Sequence, residues 1–337
     1  MLRVVVSRLA WSIALLWAVS VLIFVGTGMI SGDAATAILG QHAADPIAVQ
    51  TVRKNLGLDK PPLERYLRWL SDVLHGDLGR SLTVGATAVG VSMAGDAASG
   101  GVAEQGVPVT DLIRHRVVNS AVLAGIAALL TVPFALLLGV ICALRPGGMV
   151  DSTVSTVTLG LIALPEFVTG TAFVLLFAIT WHWFPAVSLV SSGEGVGDRI
   201  RELALPVLTL AAASVAQTAR MVRGSMIDAL ESDYVQMARL KGMPERRVIF
   251  VHALRNALVP TIQVVALTIA WLAGGIVVVE VVFGYPGIGQ ALANAVATRD
   301  LPTVQALVLL IAAVYVLVNL IADLATIALT PKLRQTL

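Results

Sequence analysis

The sequence predicts an all-α membrane protein with six transmembrane helices. Hydrophobic residues make up 57% of the 337 residues and charged residues only 13%, which is about half the charged share of an average globular protein. The mean hydropathy of the chain is +0.86. Six stretches also reach the roughly 20 apolar residues that a spanning helix requires. A β-barrel is not indicated, because the sequence has no series of short segments with alternating hydrophobicity.

The six stretches are numbered as spans in chain order. They run from about Leu9 to Ile30, Val117 to Leu144, Val154 to Thr180, Leu203 to Val222, Ala257 to Phe283 and Val304 to Leu329. Arg3 and Arg8 precede the first stretch as they would in a signal peptide, but the apolar run is too long and no small-residue cleavage site follows promptly. We therefore expect an uncleaved first span within residues 1–30.

The distribution of basic residues predicts that both termini lie in the cytoplasm. In that orientation the external loops 185–202 and 284–302 carry only three arginines. The cytoplasmic segments carry Arg3, Arg8, Arg145, Arg223, Arg239, Lys241, Arg246, Arg247, Arg255, Lys332 and Arg334. The loop after the first span is long enough to escape this rule, and its acidic residues outnumber its basic ones.

An external segment, residues 31–116, follows the first span and has two parts. Apolar residues at helical spacing predict one helix around Val49–Leu56 and another around Tyr66–Val73, with "LGLDKPP" as the break between them. Residues 83–107 are rich in Gly, Ala, Ser and Val and have no helical period, which favours a flexible linker. The other five spans are expected to form a core, residues 117–337.

One charged stretch, "ESDYVQMARLKGMPERRVIF", separates the fourth and fifth spans. Ser225, with Asp228 three residues later, predicts a helix start of the capping-box type. Gly242 predicts a left-handed helix end, and Pro244 predicts the first position of a second helix. Residues 224–256 are therefore expected to form two short helices joined by a glycine turn on the cytoplasmic side.

The first of these short helices is predicted to be amphipathic. One face is expected to hold Ile227, Leu230, Tyr234, Met237, Ala238 and Lys241. An isolated helix pair cannot bury such a face in water, so three interpretations compete. The pair packs on its own bundle, lies on the membrane surface, or docks a soluble subunit.

The stretch "DYVQMARLKGMPERRVIFVHALRNALVPTI" resembles the cytoplasmic EAA loop of ABC-importer permeases, above all in the dipeptide, oligopeptide and nickel branch. Gln236, Met237 and Ala238 take the places of the Glu-Ala-Ala triplet before Gly242. Other stretches similar to this branch are "LGLDKPPLERYLRWLSDVLHGDLGRSL", "VVEVVFGYPGIGQAL" and "LPTVQALVLLIAAVYVLVNLIADL". The chain departs from the family pattern in its longer 83–107 segment, in "TPKLR" where "DPRIR" is common, and at Glu166, where a small polar residue is more usual.

This resemblance implies the fold of a type I ABC importer permease, with a long external loop after helix 1 and a cytoplasmic coupling-helix pair between helices 4 and 5. It implies a permease subunit that forms half of the pathway for di- or oligopeptides in the bacterial inner membrane. The implied partners are a second homologous permease, two ATP-binding subunits, an external substrate-binding protein and the lipid bilayer. The net charge of +2 gives no indication of nucleic acid.

The chain is not expected to be an enzyme. It has no G-x-x-x-x-G-K-[ST] motif to hold ATP phosphates, so ATP and Mg are expected on the partner subunits, with no cofactor and no metal in this chain. The alternatives are import of nickel chelates, glutathione or other small solutes by the same machinery, and a non-transporting membrane scaffold that docks an ATPase. A stand-alone ion-coupled carrier would require an internal inverted repeat, which we do not find in the sequence.

The candidate site residues form two sets. The resemblance implies ATPase-coupling contacts at Tyr234, Ala238, Arg239, Lys241, Gly242, Met243, Glu245 and Arg246. Polar groups within spans are candidates for the translocation pathway, and these are Asn119, Glu166, Gln217 and Asn319. Hydrogen bonding between helices is the alternative role for each of them. Asp323 is expected to pair with a basic residue, and Glu280 to lie near the membrane interface.

Overall fold

A computed structural model describes residues 2–29, 60–81, 107–189 and 196–329, and most of them are helical. The helices are α1 (Leu2–Met29), α2 (Pro62–Leu74), α3 (Val109–Leu144), α4 (Met149–Ala163), α5 (Glu166–Phe173), α6 (Val196–Glu231), α7 (Asp233–Leu240), α8 (Glu245–Arg247), α9 (Leu254–Phe283), α10 (Ile288–Ala297) and α11 (Leu301–Leu329). Two π-helical segments, Val174–Thr180 and Val248–Ala253, follow α5 and precede α9. Two short strands are β1 (Arg80–Ser81) and β2 (Val107–Pro108).

Within the described residues, four helices are long and apolar enough to cross a membrane. They are Val5–Met29, Val109–Leu144, Arg199–Glu231 and Leu301–Leu324, and they correspond to the predicted first, second, fourth and sixth spans. Two bent helix pairs bring the number to six if each pair counts as one span. These pairs are Met149–Ala163 with Glu166–Thr180, and Ile276–Phe283 with Ile288–Ala297.

The predicted third span is not one straight helix. Between α4 and α5 the chain bends by 108°, and Pro165 lies at this bend. A proline has no backbone N–H and forces the preceding residue out of the helical region. Leu164 accordingly has φ −88° and ψ 130°. The bend makes Glu166 the first residue of α5.

The chain divides into two compact units. The first unit contains Met1–Ser12, Ser120–Pro286 and Val314–Leu337. Its main core is formed by apolar residues of α3, α6 and α9, including the fully buried Leu123, Leu205 and Phe283. A separate cluster of buried residues, which we call the loop cluster, lies where α6, α7 and the start of α9 meet. This cluster determines how the charged stretch is held.

The second unit contains Ile13–Asn119 and Gly287–Ala313. Here α2 packs on the C-terminal half of α1, with the rings of Tyr66 and Trp69 centred 5.4 and 6.0 Å from the ring of Phe24. The hydroxyl oxygens of Tyr66 and Ser20 are 2.8 Å apart. The second predicted external helix is thus confirmed. The first, around residues 49–56, lies outside the described residues.

Strands β1 and β2 are antiparallel and join the two ends of segment 82–106. Ser81 pairs with Val107, and Arg80 pairs with Pro108. The N–H of Val109 also donates to the carbonyl of Gly79 at 3.0 Å. Val107 was predicted to belong to the flexible linker, and this is wrong because its backbone is paired with Ser81. The rest of that linker lies outside the part of the chain that the structure describes.

Candidate functional site

The short helix of the charged stretch begins later than the predicted capping box at Ser225 indicates. Helix α6 continues through Ser225 and ends at Glu231, so the predicted helix start at Ser225 is wrong. Ser232 has an extended backbone, with φ −68° and ψ 148°, and begins α7. Its carbonyl accepts hydrogen bonds from the N–H groups of Val235 and Gln236 at 3.0 and 3.1 Å. Extending an existing helix is easier than nucleating a new one, and no proline lies between Ser225 and the end of α6 at Glu231.

Gly242 terminates α7 in the left-handed conformation that the sequence predicts, with φ +74°. The N–H of Gly242 donates to the carbonyl of Arg239 at 2.9 Å, and the N–H of Met243 donates to the carbonyl of Ala238 at 3.3 Å. These two bonds form a Schellman motif, which satisfies carbonyls at the helix end. An added Cβ at Gly242 would meet nothing within 4 Å, so only the backbone conformation favours glycine here.

An ion pair spans the glycine turn. The Nη2 and Nε atoms of Arg239 donate to the carboxylate of Glu245 at 2.7 and 3.3 Å. The hydrogen bond to Glu245 raises the pKa of the Arg239 guanidinium above its ordinary value. Both side chains are about half exposed, so the pair contributes little stability. It does link the end of α7 to the start of α8.

The second predicted helix is continuous with the fifth span. Pro244 precedes α8, and its carbonyl accepts the N–H groups of Arg247 and Val248 at 2.8 and 3.1 Å. Helical dihedral angles persist at Val248 and Leu254, so α8, the π-helical segment and α9 form one path. The prediction of two separate short helices is therefore corrected to one short helix, α7, and an extended start of α9.

One side of α7 is held by the loop cluster. Val235 is fully buried and Ala238 is 6% exposed. They pack with Met226 and Ala229 of α6 and with Val248, which lies just before α9. The small side chain of Ala238 lets α7 lie close to these neighbours. The interpretation that the loop packs on its own bundle is therefore correct for this side.

The other side of α7 is apolar and open. Tyr234, Met237 and Leu240 are 43%, 55% and 81% exposed. The sequence predicted Tyr234 and Met237 on the same face as Ala238, but the side of α7 that faces the bundle is centred between Val235 and Ala238, which leaves Tyr234 and Met237 exposed. Of the other candidate contacts, Met243 is half-buried, whereas Arg239, Lys241, Gly242, Glu245 and Arg246 are exposed.

The candidate pathway residues have different surroundings. Glu166 is half-buried at the bend, and its Oε2 atom is buried without a hydrogen-bond partner among the described residues. Gln217 is exposed on α6. The Nδ2 atom of Asn319 donates to the carbonyl of Tyr315, one turn earlier in its own helix, at 2.9 Å. Asn119 is half-buried in the second unit.

Asp323 forms the ion pair that the sequence predicts. The Nη1 atom of Arg8 lies 2.8 Å from Oδ2 of Asp323. Arg8 belongs to the N-terminal end of α1 and Asp323 to the C-terminal part of α11. The first and last helices therefore approach each other at the ends that lead to the two termini.

Sequence reasoning missed two buried carboxylates. Glu280, which was expected near the membrane interface, is fully buried within the protein and accepts a hydrogen bond from the hydroxyl of Ser120 at 2.5 Å. Asp151 is 4% exposed and forms an ion pair with Arg223. The sequence places Asp151 just before the third span and Arg223 just after the fourth, and opposite charges at the ends of consecutive spans could have indicated this pair. Only the structure shows that these two residues, among the other charged ones, are in contact.

Comparison with known proteins identifies the family. Residues 135–335 match the family described as binding-protein-dependent transport system inner membrane component. Residues 1–112 match the N-terminal region of the membrane components of such systems. Both matches agree with the resemblance of the motifs.

Full-length relatives give the same result. The chain is 34% identical over 330 residues to a probable peptide ABC transporter permease of Sinorhizobium fredii, covering 98% of each chain. It is 34% identical over 334 residues to a glutathione transport system permease of Escherichia coli strain K12, covering 99% of each. It is 33% identical over 355 residues to a di/tripeptide transport system permease of Pseudomonas aeruginosa, covering 99% of each. This chain therefore belongs to the family of binding-protein-dependent transport system inner membrane components, and it is an integral-membrane permease subunit of such an importer rather than a catalytic enzyme.

Proposed function

We propose that this permease crosses the bacterial inner membrane six times, with both termini in the cytoplasm, and docks an ATP-binding subunit through α7 and the glycine turn. The contact between Arg8 and Asp323 supports the orientation, because it brings the ends of α1 and α11 to one side. The basic residues of the charged stretch support the cytoplasmic side.

The observation that carries the docking proposal is that one side of α7 is buried and the other side is exposed. Val235 and Ala238 hold the helix on the bundle, while Leu240 is 81% exposed. A short helix held on one side and apolar on the other suits a protein contact, because exposed apolar patches mark interaction sites. Tyr234, Met237 and Leu240 are therefore the proposed contacts, and Ala238 has the different role of seating the helix.

The proposed transport cycle uses ATP hydrolysed by the partners. Two ATP-binding subunits, each with Mg, close on ATP and displace α7 of this chain and the matching helix of a second permease. Movement of α7 changes the packing of the spans, so the pathway opens alternately to each side of the membrane. The substrate biases this switch only if it binds the two states differently. An external binding protein delivers the substrate.

Peptides are the proposed substrates. Two relatives are described as transporters of peptides or of di- and tripeptides, and a third as a transporter of glutathione, which is itself a small peptide. Glu166 suits such substrates because its half-buried carboxylate has an oxygen without a hydrogen-bond partner among the described residues. A carboxylate within a span is costly unless it faces a polar cavity or a cation. We propose that the carboxylate of Glu166 accepts a hydrogen bond from the amino group of the peptide.

The docking proposal is tested by placing a charge on the open side of α7. Leu240→Glu should weaken binding of the ATP-binding subunit about tenfold or more, because an unpaired charge buried at an interface costs more than the ~1.4 kcal/mol that corresponds to tenfold. Leu74→Glu is the matched control, since Leu74 is a similarly exposed leucine, at 77%, but lies at the end of α2 and not on α7. The measurement is the amount of ATP-binding subunit that co-purifies with each variant. Equal recovery with Leu240→Glu and wild type would refute docking through this face.

A further inference from the structure

A partly buried ion pair joins α4 to α6. The Nε atom of Arg223 donates to Oδ1 of Asp151 at 2.5 Å, and Nη2 donates to Oδ2 at 2.8 Å. The side chains of Asp151 and Arg223 are 5% and 31% exposed. Bidentate pairing of this kind fixes both distance and orientation. It is a directional connection rather than a loose surface contact.

Asp151 also holds the turn between α3 and α4. Its Oδ2 accepts the N–H of Gly147 at 2.8 Å, and its Oδ1 accepts the hydroxyl of Ser155 at 3.3 Å. The turn places Gly147 in the left-handed conformation, with φ +75°. One carboxylate thus connects the start of α4, the preceding turn and α6.

Arg223 lies close to the proposed docking helix. It precedes the end of α6 by two turns, and Met226, three residues later, belongs to the loop cluster that seats α7. On the other side of the pair, α4 leads to the bend at Pro165 and to Glu166. The pair therefore lies between the docking helix and the bent span that carries the proposed substrate contact.

The pair lies where α3, α4 and α6 pack around a small cavity. Gly139 of α3 lies so close to α6 that an added Cβ would be 2.6 Å from Cβ of Val222. Beside this close approach there is a cavity of about 120 Å³, lined by residues of all three helices that include Cys142, Ser155 and Thr158. The ion pair therefore supplies a strong connection between α4 and α6 beside space that side chains do not fill.

We propose that Asp151 and Arg223 are positioning residues that transmit the movement of α7 from α6 to α4, and so to the bend that carries Glu166. This inference rests on the proposed docking function of α7. Loss of one partner leaves a buried charge without its counter-charge, which is strongly unfavourable. The cavity gives α4 room to shift against α6 once the pair is broken. Movement of α6 would then move α4 less.

The test is a double-mutant cycle on the complete importer in lipid vesicles. The variants are Asp151→Asn, Arg223→Gln and the double variant, and the readout is substrate taken up per ATP hydrolysed. Each single variant should lower this ratio about fivefold, the low end of coupling between distant sites. The double variant should be no worse than the single variants, because residues that act as a pair are not additive. Arg220→Gln is the control, since Arg220 is an exposed arginine that lines the same cavity.

Other results would overturn the inference. A purely structural pair would lower the thermal midpoint of the complex but leave uptake per ATP at the wild-type value. Independent residues would give a double variant whose loss is the product of the two single losses. If Asp151→Asn does not assemble, Arg223→Lys retains the charge without the bidentate geometry, and an unchanged ratio in that variant also overturns the inference.

Gly242→Val in the same assay separates this inference from the docking proposal. Loss of coupling in Gly242→Val together with a wild-type ratio in Asp151→Asn refutes only the role of the pair. A wild-type ratio in both refutes transmission through α7 as well as through the pair.

Discussion

Gly242→Val tests whether the glycine turn transmits movement. At φ +74°, a residue with a Cβ pays about 1–2 kcal/mol for the left-handed conformation, and a β-branched side chain costs more. An added Cβ would meet nothing within 4 Å, so this cost comes from the backbone alone. If the turn relaxes instead, it loses the bonds from Gly242 to Arg239 and from Met243 to Ala238, each contributing about 0.5–1.5 kcal/mol.

Only the second response changes the angle between α7 and α8, and the spans stay intact in both. Val235 keeps α7 on the loop cluster, because its burial does not depend on the turn. A penalty near 1.4 kcal/mol favours the relaxed turn by a factor of about ten, so uptake per ATP hydrolysed in reconstituted vesicles should fall up to about tenfold, with expression near wild type. Substitutions of Lys241 and Met243 should give milder forms of the same defect.

Two controls show whether the defect depends on the location of the substituted glycine or only on the conformational cost of the substitution. Gly76→Val imposes the same cost at φ +86°, also with nothing within 4 Å of an added Cβ, but at the end of α2. It should leave coupling unchanged. Gly242→Asn should be milder than Gly242→Val, because asparagine tolerates the left-handed region. Wild-type coupling in Gly242→Val would show that the charged stretch is only a loop.

Three further predictions concern the substrate, the external segment and the termini. Glu166→Gln should reduce uptake of peptides with a free amino group more than that of N-blocked peptides; equal loss for both would exclude amine recognition. Deletion of Gly85–Gly106 should leave the complex intact in co-purification, because the paired Ser81 and Val107 already hold the two ends together, whereas failure to assemble would make the segment structural. Asp323→Asn should change stability by less than about 1 kcal/mol, since its ion pair is exposed, and a large drop in the thermal midpoint would contradict this.

The helices and the glycine turn could be predicted because their causes are local. Apolar runs of sufficient length give spanning helices, and Gly242 followed by Pro244 gives a left-handed helix end followed by a new start. The bend at Pro165 was also a local signal. Packed membrane helices can tolerate a proline, and the stretch from Val154 to Thr180 was predicted as one span, but the structure bends by 108° there.

The faces of α7 and the buried charges could not be predicted because their causes are distant in sequence. One helical face was assigned across Ser232, but the helix breaks there, so Ile227 and Leu230 belong to α6, and α7 turns Val235 to the bundle and leaves Met237 outside. The partners Asp151 and Arg223 are 72 positions apart. No periodicity links them, and only the packing of α4 on α6 brings them together.

Site-specific photocrosslinking from α7 tests the central claim most directly. A photoreactive amino acid at position Met237, at the centre of the open side of α7, would be activated in membranes that contain the assembled importer. The crosslinked chain would be identified by mass spectrometry. We predict that it carries a G-x-x-x-x-G-K-[ST] motif and therefore binds ATP. Crosslinks found only to lipid or to this chain itself would contradict the account.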